Sequence, residues 1–291
     1  MKNSDQETLA HVGSQYSRDG SSSPGIEEFQ QMVLSHYDLY GRDLVWRNTT
    51  DPYHILVSEI MLQQTQVERV SKKFTEFICA FPDFSSLAAA TLANVLTLWQ
   101  GLGYNRRAIA LQKCAIRVMN EYNGVLPDDV DILATFPGIG RATASSIAAF
   151  AFNMPVVFIE TNIRRVFIHF FFAATENVSD ADIIPLVEKA LYRENPRVWY
   201  WALMDLGSSL KKTVPNPNRR SLHYTKQSPF EGSDRKIRGA LLKILLKNQF
   251  LKEEEILGCV AEDPHRVLRI LGALESDGFI ERRDNGFVPC K

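Results

Sequence analysis

From Ile26 onward the apolar positions recur every three or four residues, the spacing that gathers them on one side of an α-helix. The segments IEEFQQMVLSHY, HILVSEIMLQQTQVERVSKKFTEFICAF, LAAATLANVLTLWQGL, RRAIALQKCAIRVMNEY, VDILATF, RATASSIAAFAF and IIPLVEKALY all carry this pattern. The punctuation between them is short, as in Phe81-Pro82-Asp83, Asn123-Gly124 and Phe136-Pro137-Gly138, residues that stop helices and open turns. No repeat of fixed period is visible. The pattern predicts an all-α domain over residues 26–210.

After Leu210 the composition changes. KKTVPNPNRRSLHYTKQSPFEGSDRK is rich in Pro, Asn and Ser, and sets Lys211, Lys212, Arg219, Arg220, Lys226, Arg235 and Lys236 against Glu231 and Asp234. Residues 211–234 therefore read as a basic connector. Residues 235–291 hold three helical patterns, and two strand-like pieces follow around Asp284-Asn285-Gly286, which suggests a small winged-helix-like module. Such a module docks on DNA in some proteins and on protein in others, so its fold leaves its role open.

The chain has 291 residues, 45% hydrophobic and 23% charged, with a formal net charge of -1. It can bury a sizeable core, but it lacks the global basic balance of many nucleic-acid binders. Residues 1–25 are polar, contain acids and lack an apolar h-region, so a disordered tail is expected there and no secretory signal or transit peptide. The apolar segments AFAFNMPVVFI and VFIHFFFAA are too short to span a bilayer. A soluble intracellular protein of cytoplasm, nucleoid or nucleus is expected, with no membrane association. Cys79, Cys114, Cys259 and Cys290 are scattered, which predicts reduced, mostly buried thiols and no metal knuckle.

The most informative short stretch is FPGIGRATASSIAAF. Gly138 and Gly140 form a tight turn before an apolar helix, Arg141 adds charge, and VDILATF precedes them. A helix, a glycine hairpin and a second helix can clamp a DNA backbone, since helix N–H groups and the helix dipole favour a phosphate. With this unit in view the chain resembles the helix-hairpin-helix (HhH-GPD) DNA glycosylases, in particular the adenine mismatch glycosylases of MutY type. VWRNTTDPYHILVSEIMLQQTQV, WQGLGY, FPGIGRATA and IETNIRRV stand in that family's order and spacing over residues 42–207.

The resemblance assigns roles to particular residues. Glu59 would be the general acid that protonates the departing base, which requires a carboxyl kept protonated near neutral pH. Glu160 stands where the family has an aspartate that stabilises the oxocarbenium-like sugar. Gln64 would press into the duplex beside the extruded base, with Tyr104 as a second wedge. Arg42, Trp46, Arg47, Leu62 and Trp201 would line the base pocket. Gly138, Gly140, Arg141 and Asn162, together with Lys211, Arg219 and Arg220 of the connector, would meet DNA.

Departures from the family pattern shape the expectation further. Ala142 replaces the lysine of bifunctional relatives, so no Schiff base can form from that position. Lys211, Asn218, Ser221 and Gln227 occupy the positions of four cluster-binding cysteines, so no iron–sulfur cluster, cofactor or metal is expected. The family's Nudix-like C-terminal domain is replaced in order by the winged-helix-like module. Trp201 stands where adenine-specific relatives have Gln or Glu, and indole donates one hydrogen bond and accepts none. Together these residues point to a monofunctional base excision repair glycosylase that removes adenine mispaired with guanine or 8-oxoguanine. It would act on double-stranded DNA carrying a mismatch or damaged base, as a monomer. Excision of thymine or uracil opposite guanine, and a catalytically weak DNA-binding or regulatory role, are the alternatives.

Overall fold

The computed structural model describes residues 23–172, 175–226 and 229–290. Most of the expected tail lies outside them, while residues 23–25, also expected in the tail, already belong to the first helix. In chain order the helices begin with α1 (Ser23–Tyr40), α2 (Pro52–Leu62), α3 (Val67–Ala80), α4 (Phe84–Ala89), α5 (Leu92–Trp99) and α6 (Arg106–Glu121). They continue with α7 (Val130–Leu133), α8 (Arg141–Phe152), α9 (Thr161–Phe171), α10 (Asp180–Lys189) and α11 (Pro196–Thr213). The C-terminal part adds α12 (Asp234–Asn248), β1 (Leu251–Lys252), α13 (Glu253–Cys259), α14 (Pro264–Ser276), β2 (Ile280–Arg283) and β3 (Gly286–Pro289).

Two compact units share the chain. One comprises the residues up to Pro52 with Asp128–Ala134 and Gly140–Lys226, and the other Tyr53–Pro127, Thr135–Ile139 and Gln227–Lys291. The stretch 211–234, expected as a connector, is divided between them at Lys226.

In the first unit the core forms around Phe29 of α1. Its ring meets Phe167, Phe170, Phe171 and Trp199 edge-on at centroid distances of 5.0–6.0 Å, the geometry that aromatic quadrupoles favour. Helix α11 starts where Asn195 accepts from the Val198 N–H and Pro196 takes the first turn, a position where proline forfeits no helical hydrogen bond. Helix α8 is buried from Ala144 through Ala151, which its small Ala and Ser side chains permit.

The second unit has its own aromatic core. Phe77 packs against Phe81 and Trp99, Tyr53 against Phe84, and the Tyr53 hydroxyl donates to the Phe81 carbonyl at 2.6 Å. Its C-terminal portion follows the helix–strand–helix–helix–strand–strand order of a winged helix, with an antiparallel sheet in the order β1-β3-β2. The two-residue strand β1 is not apparent in the sequence pattern. It lies close against β3 because Gly286 has no side chain: a Cβ there would overlap the Leu251 carbonyl.

Two of the long helical runs are interrupted. The run from His54 to Phe81 breaks between α2 and α3, where Gln64 takes φ +55°, a left-handed conformation no α-helix contains. The run from Leu87 to Leu102 breaks at Thr91, whose side chain caps α5 by accepting from the Asn94 N–H. Of VDILATF only Val130–Leu133 is helical.

Asp277, just after α14, pins this C-terminal portion to α6. Its carboxylate accepts from Arg106 Nη2 at 2.7 Å and Nε at 3.1 Å, and from Arg238 of α12. Burial works against the charge, yet the two guanidinium groups hold the carboxyl below the usual aspartate value. A carboxyl with a depressed pKa stabilises the fold above its unfolded value and loses that contribution as pH falls through the folded value. Asp277→Asn is therefore expected to lower Tm by roughly 2–4 °C at neutral pH, because the pair is partly exposed. The gap to wild type should close in scans below the usual aspartate range; a gap that persists there would argue against ion pairing as its cause.

Candidate active site

Glu59 sits on α2 between the buried Ser58 and Ile60 and is itself half-buried. Three residues on, the helix ends, and Arg107 of α6 takes charge of that end. Its guanidinium donates to the carbonyls of Ile60 at 2.8 Å and Met61 at 2.9 Å, and to that of Gln63. It also donates to the Thr65 hydroxyl at 2.9 Å and to the Gly103 carbonyl at 3.0 Å. A helix leaves its last carbonyls without intrahelical donors and accumulates negative potential there, so a buried cation meets both needs. Burial lowers the Arg107 pKa to about 10, which leaves it charged at neutral pH.

Arg107 thereby joins two loops. One carries Gln64, exposed at φ +55°; the other carries Tyr104, 37% exposed at φ +49°. Each non-glycine residue held in the left-handed region costs on the order of 1 kcal/mol, and such strain persists where the surroundings enforce it. The neighbouring Gln63 amide donates to the Gly138 carbonyl at 3.1 Å, so the first loop is also tied to the glycine hairpin. Gly138 is itself required twice: its φ is +73°, and a Cβ would come within 2.8 Å of the Ala110 Cβ.

The N-cap of α8 is Gly140, which has no side chain to cap the helix, and the start of a helix favours an anion. Arg141 and Asp131 pair at 2.6 Å on the surface, with side chains 75% and 77% exposed, a contact of little energetic weight. Ala142 is exposed at the start of α8.

The first unit holds the second carboxylate. Glu160 caps α9: its Oε1 accepts from the N–H groups of Asn162 at 2.7 Å and Ile163 at 2.9 Å, and its Oε2 from the Asn162 amide at 3.2 Å. Burial raises its pKa, opposed by those donors and by the Arg165 charge. Arg165 in turn donates at 2.7 Å to both the Asn162 side-chain oxygen and the Gly207 carbonyl. Asn162, expected to contact DNA, thus has both ends of its amide occupied by Glu160 and Arg165. Gly207 lets α11 approach, since a Cβ would overlap the Asn162 carbonyl and lie 2.7 Å from its Cβ.

Four of the expected base-pocket residues belong to the first unit. A cavity of about 370 Å³ is lined by Arg42, Arg47 and Trp201 together with Tyr37 and Asn48. Trp46 is not on its wall; at 4% exposure it packs in the core. The arginines are held by Asp205, which accepts from the Arg42 N–H and Nε at 2.7 Å and from both Arg47 terminal nitrogens at 2.8 Å. Burial opposes this buried charge, but its arginine donors win and keep the carboxyl below the usual aspartate value. The Trp201 ring stacks on Phe150, with the Arg47 guanidinium 5.5 Å from its centroid. Leu62 lies half-buried at the end of α2.

The basic loop divides by role. Lys211 and Arg219 are exposed. Arg220, expected on DNA, donates to the carbonyls of Phe172 and Ile168 at the end of α9. Asn218 donates to the Thr161 carbonyl at 2.9 Å, and Val178 bridges to Ser221. The thiols also differ from expectation: Cys114 is buried, whereas Cys79 and Cys259 are exposed, Cys259 as the last residue of its helix.

Arg107, Asp205 and Gly207 escaped the sequence reading. The available signal was positional, a charge within an apolar stripe: Arg107 shares the buried face of α6 with Leu111 and Ala115, and Asp205 shares that of α11 with Ala202 and Leu206. Arg107→Met should lower stability by roughly 3 kcal/mol by leaving several buried carbonyls without donors, seen as a lower urea midpoint at unchanged m value. An unmoved midpoint would show that the carbonyls find other donors. Gly207→Ala should cost about 1–3 kcal/mol through backbone overlap, measured by thermal unfolding; a wild-type Tm would mean the α9–α11 contact yields freely.

Residues 57–183 match the HhH-GPD superfamily of base excision DNA repair proteins. An adenine DNA glycosylase of Mycolicibacterium smegmatis is 35% identical over 273 residues, covering 87% of this chain and 93% of the relative. One of Mycobacterium tuberculosis is 33% identical over 288 residues, covering 87% and 90%. Among solved structures, a thermostable thymine-DNA glycosylase superposes with a TM-score of 0.58 at 25% identity, over 63% of this chain and 86% of that one. With a family match over residues 57–183 and relatives matched over nearly their whole length, the chain belongs to the adenine DNA glycosylases of the HhH-GPD superfamily of base excision DNA repair proteins.

Proposed function

We propose that this protein is a monofunctional DNA glycosylase that hydrolyses the N-glycosidic bond of adenine mispaired with guanine or 8-oxoguanine. The observation that carries the reading is the likeness to adenine DNA glycosylases over 93% of the length of one of them, with Glu59 in the motif SEIMLQQT on the helix that Arg107 secures. In this reading the Glu59 carboxyl gives its proton to the adenine ring as the C1′–N bond breaks and the bonding pair leaves with the base. Glu160, as a carboxylate, stabilises the positive charge left on the sugar. Water then adds to C1′ and its proton returns to Glu59, yielding free adenine and an abasic sugar. With alanine at position 142, no amine there is available to cleave the strand.

The residues do not fit an iron–sulfur cluster, and the reading includes none. Lys211, Asn218 and Ser221 offer no thiolate, and the Asn218 amide and the backbone bonds of Val178 with Arg220 and Leu222 hold their loop. Trp201 on the cavity wall is the observation that favours a second reading, release of thymine or uracil opposite guanine.

Single-turnover base release decides between them, on duplexes carrying A opposite 8-oxoguanine, A opposite G, T opposite G and U opposite G. Adenine should be released from the first two, with strand breaks appearing after alkali. Release of pyrimidine alone would move the assignment to the second reading. Glu59→Gln and Glu160→Gln should each lose about 100-fold or more while still binding duplex, and Glu160→Asp should stay within about tenfold of wild type. Because the charged form of Glu160 is the active one and burial raises its pKa, the acid limb of the rate should lie above the usual glutamate value of 4.5. Variants with wild-type rates would remove either carboxylate from the reaction.

A further inference from the structure

The second unit contains a cavity of about 1050 Å³ whose wall does not include Glu59. The loops bearing Gln64 and Tyr104 form one part of its wall; Phe230 and helix α12 form another. Every ionic residue on that wall is a cation, among them Arg69, Arg235 and Lys243, and no Asp or Glu is among the lining residues. In a chain of net charge -1, this concentration is local and not a by-product of composition.

Several of the cations have structural duties. Arg106 and Arg238 share Asp277, Lys236 pairs with Glu231, and Arg107 is spent on carbonyls. Arg69 and Lys243 are different: both are exposed, and neither has a carboxylate partner among the described residues. The wall also presents two aromatic rings, Tyr104 at 37% and Phe230 at 57% exposure, and Arg235 donates to the Tyr104 hydroxyl at 3.1 Å. Glutamine amides at positions 63, 64, 66 and 100 supply both donors and acceptors. Cations for phosphates, exposed rings for stacking and amides for base edges are what binding of unstacked nucleic acid requires.

We propose that this cavity binds a DNA strand with unstacked bases, with Arg69 and Lys243 against phosphates and Phe230 as a stacking platform. The winged-helix-like portion, whose role the sequence leaves open, then forms part of the nucleic-acid surface through α12. The choice of DNA as the nucleic acid rests on the glycosylase reading.

Fluorescence anisotropy of the full chain tests this, with a labelled single-stranded oligo-dT and a fully paired duplex titrated between 50 and 200 mM salt. Arg69→Ala combined with Lys243→Ala should weaken single-strand binding about tenfold and flatten the salt slope by about 1.4, or about 0.7 per cation lost. Phe230→Ala should weaken single-strand binding by roughly five- to tenfold and fully paired binding much less. An unchanged affinity and slope in the double variant would overturn the site, as would equal losses on both probes for Phe230→Ala. Tighter binding of the matching single-stranded RNA would overturn the choice of DNA. Base release by the wild type separates the two readings. Release with no binding change in the double variant removes the cavity and keeps the glycosylase; no release with a flattened slope does the reverse.

Discussion

One buried guanidinium organises much of the candidate active site. Arg107 lies in the apolar stripe of α6 and turns its donors on the carbonyl end of α2 and on the loop at Gly103. Burying a cation is costly unless its donors are met, and here the acceptors are oxygens that a helix end would otherwise leave unpaired. The helix that carries Glu59, the strained turn at Gln64 and the strained turn at Tyr104 are therefore stabilised by a single side chain. Strain at those two turns can persist because the surrounding hydrogen bonds prescribe it.

The first unit solves a similar problem with a relay. Glu160 closes the start of α9, Asn162 links it to Arg165, and Arg165 reaches the backbone of α11 at Gly207. A glycine is needed at that last point because two backbones meet there. Asp205 gathers Arg42 and Arg47, and Arg47 in turn lies against Trp201. Neither carboxylate is paired to a lone surface partner; each has donors from more than one segment, which fixes its orientation as well as its charge.

The helical architecture and the carboxylates at 59 and 160 were legible in the sequence, the first from periodicity and the second from motifs in register. The break after Leu62 was not, because no glycine or proline marks it and the positive φ at Gln64 is imposed by contacts distant in sequence. Helices α9 and α11 lie outside the helical runs read from the sequence, and both bury aromatic and aliphatic residues. Arg107, Asp205 and Gly207 act on backbone atoms or on residues 42 to 163 positions away, and spacing along the chain carries no record of that. Composition shows the charge of Arg220 without showing that it also donates to two backbone carbonyls. Family likeness implies a pocket-wall place for Trp46, and the structure puts it in the core.

The Arg107 contacts have a further consequence for how the sequence can vary. Four of its partners, Ile60, Met61, Gln63 and Gly103, are engaged through their main-chain oxygens, atoms that every residue type supplies. Side-chain replacements at 60, 61 and 63 leave those acceptors in place so long as the backbone keeps its path. No other side chain offers five N–H donors in a fixed fork. Substitutional freedom is thus unevenly distributed, broad among the oxygens and nearly absent at the guanidinium that reads them.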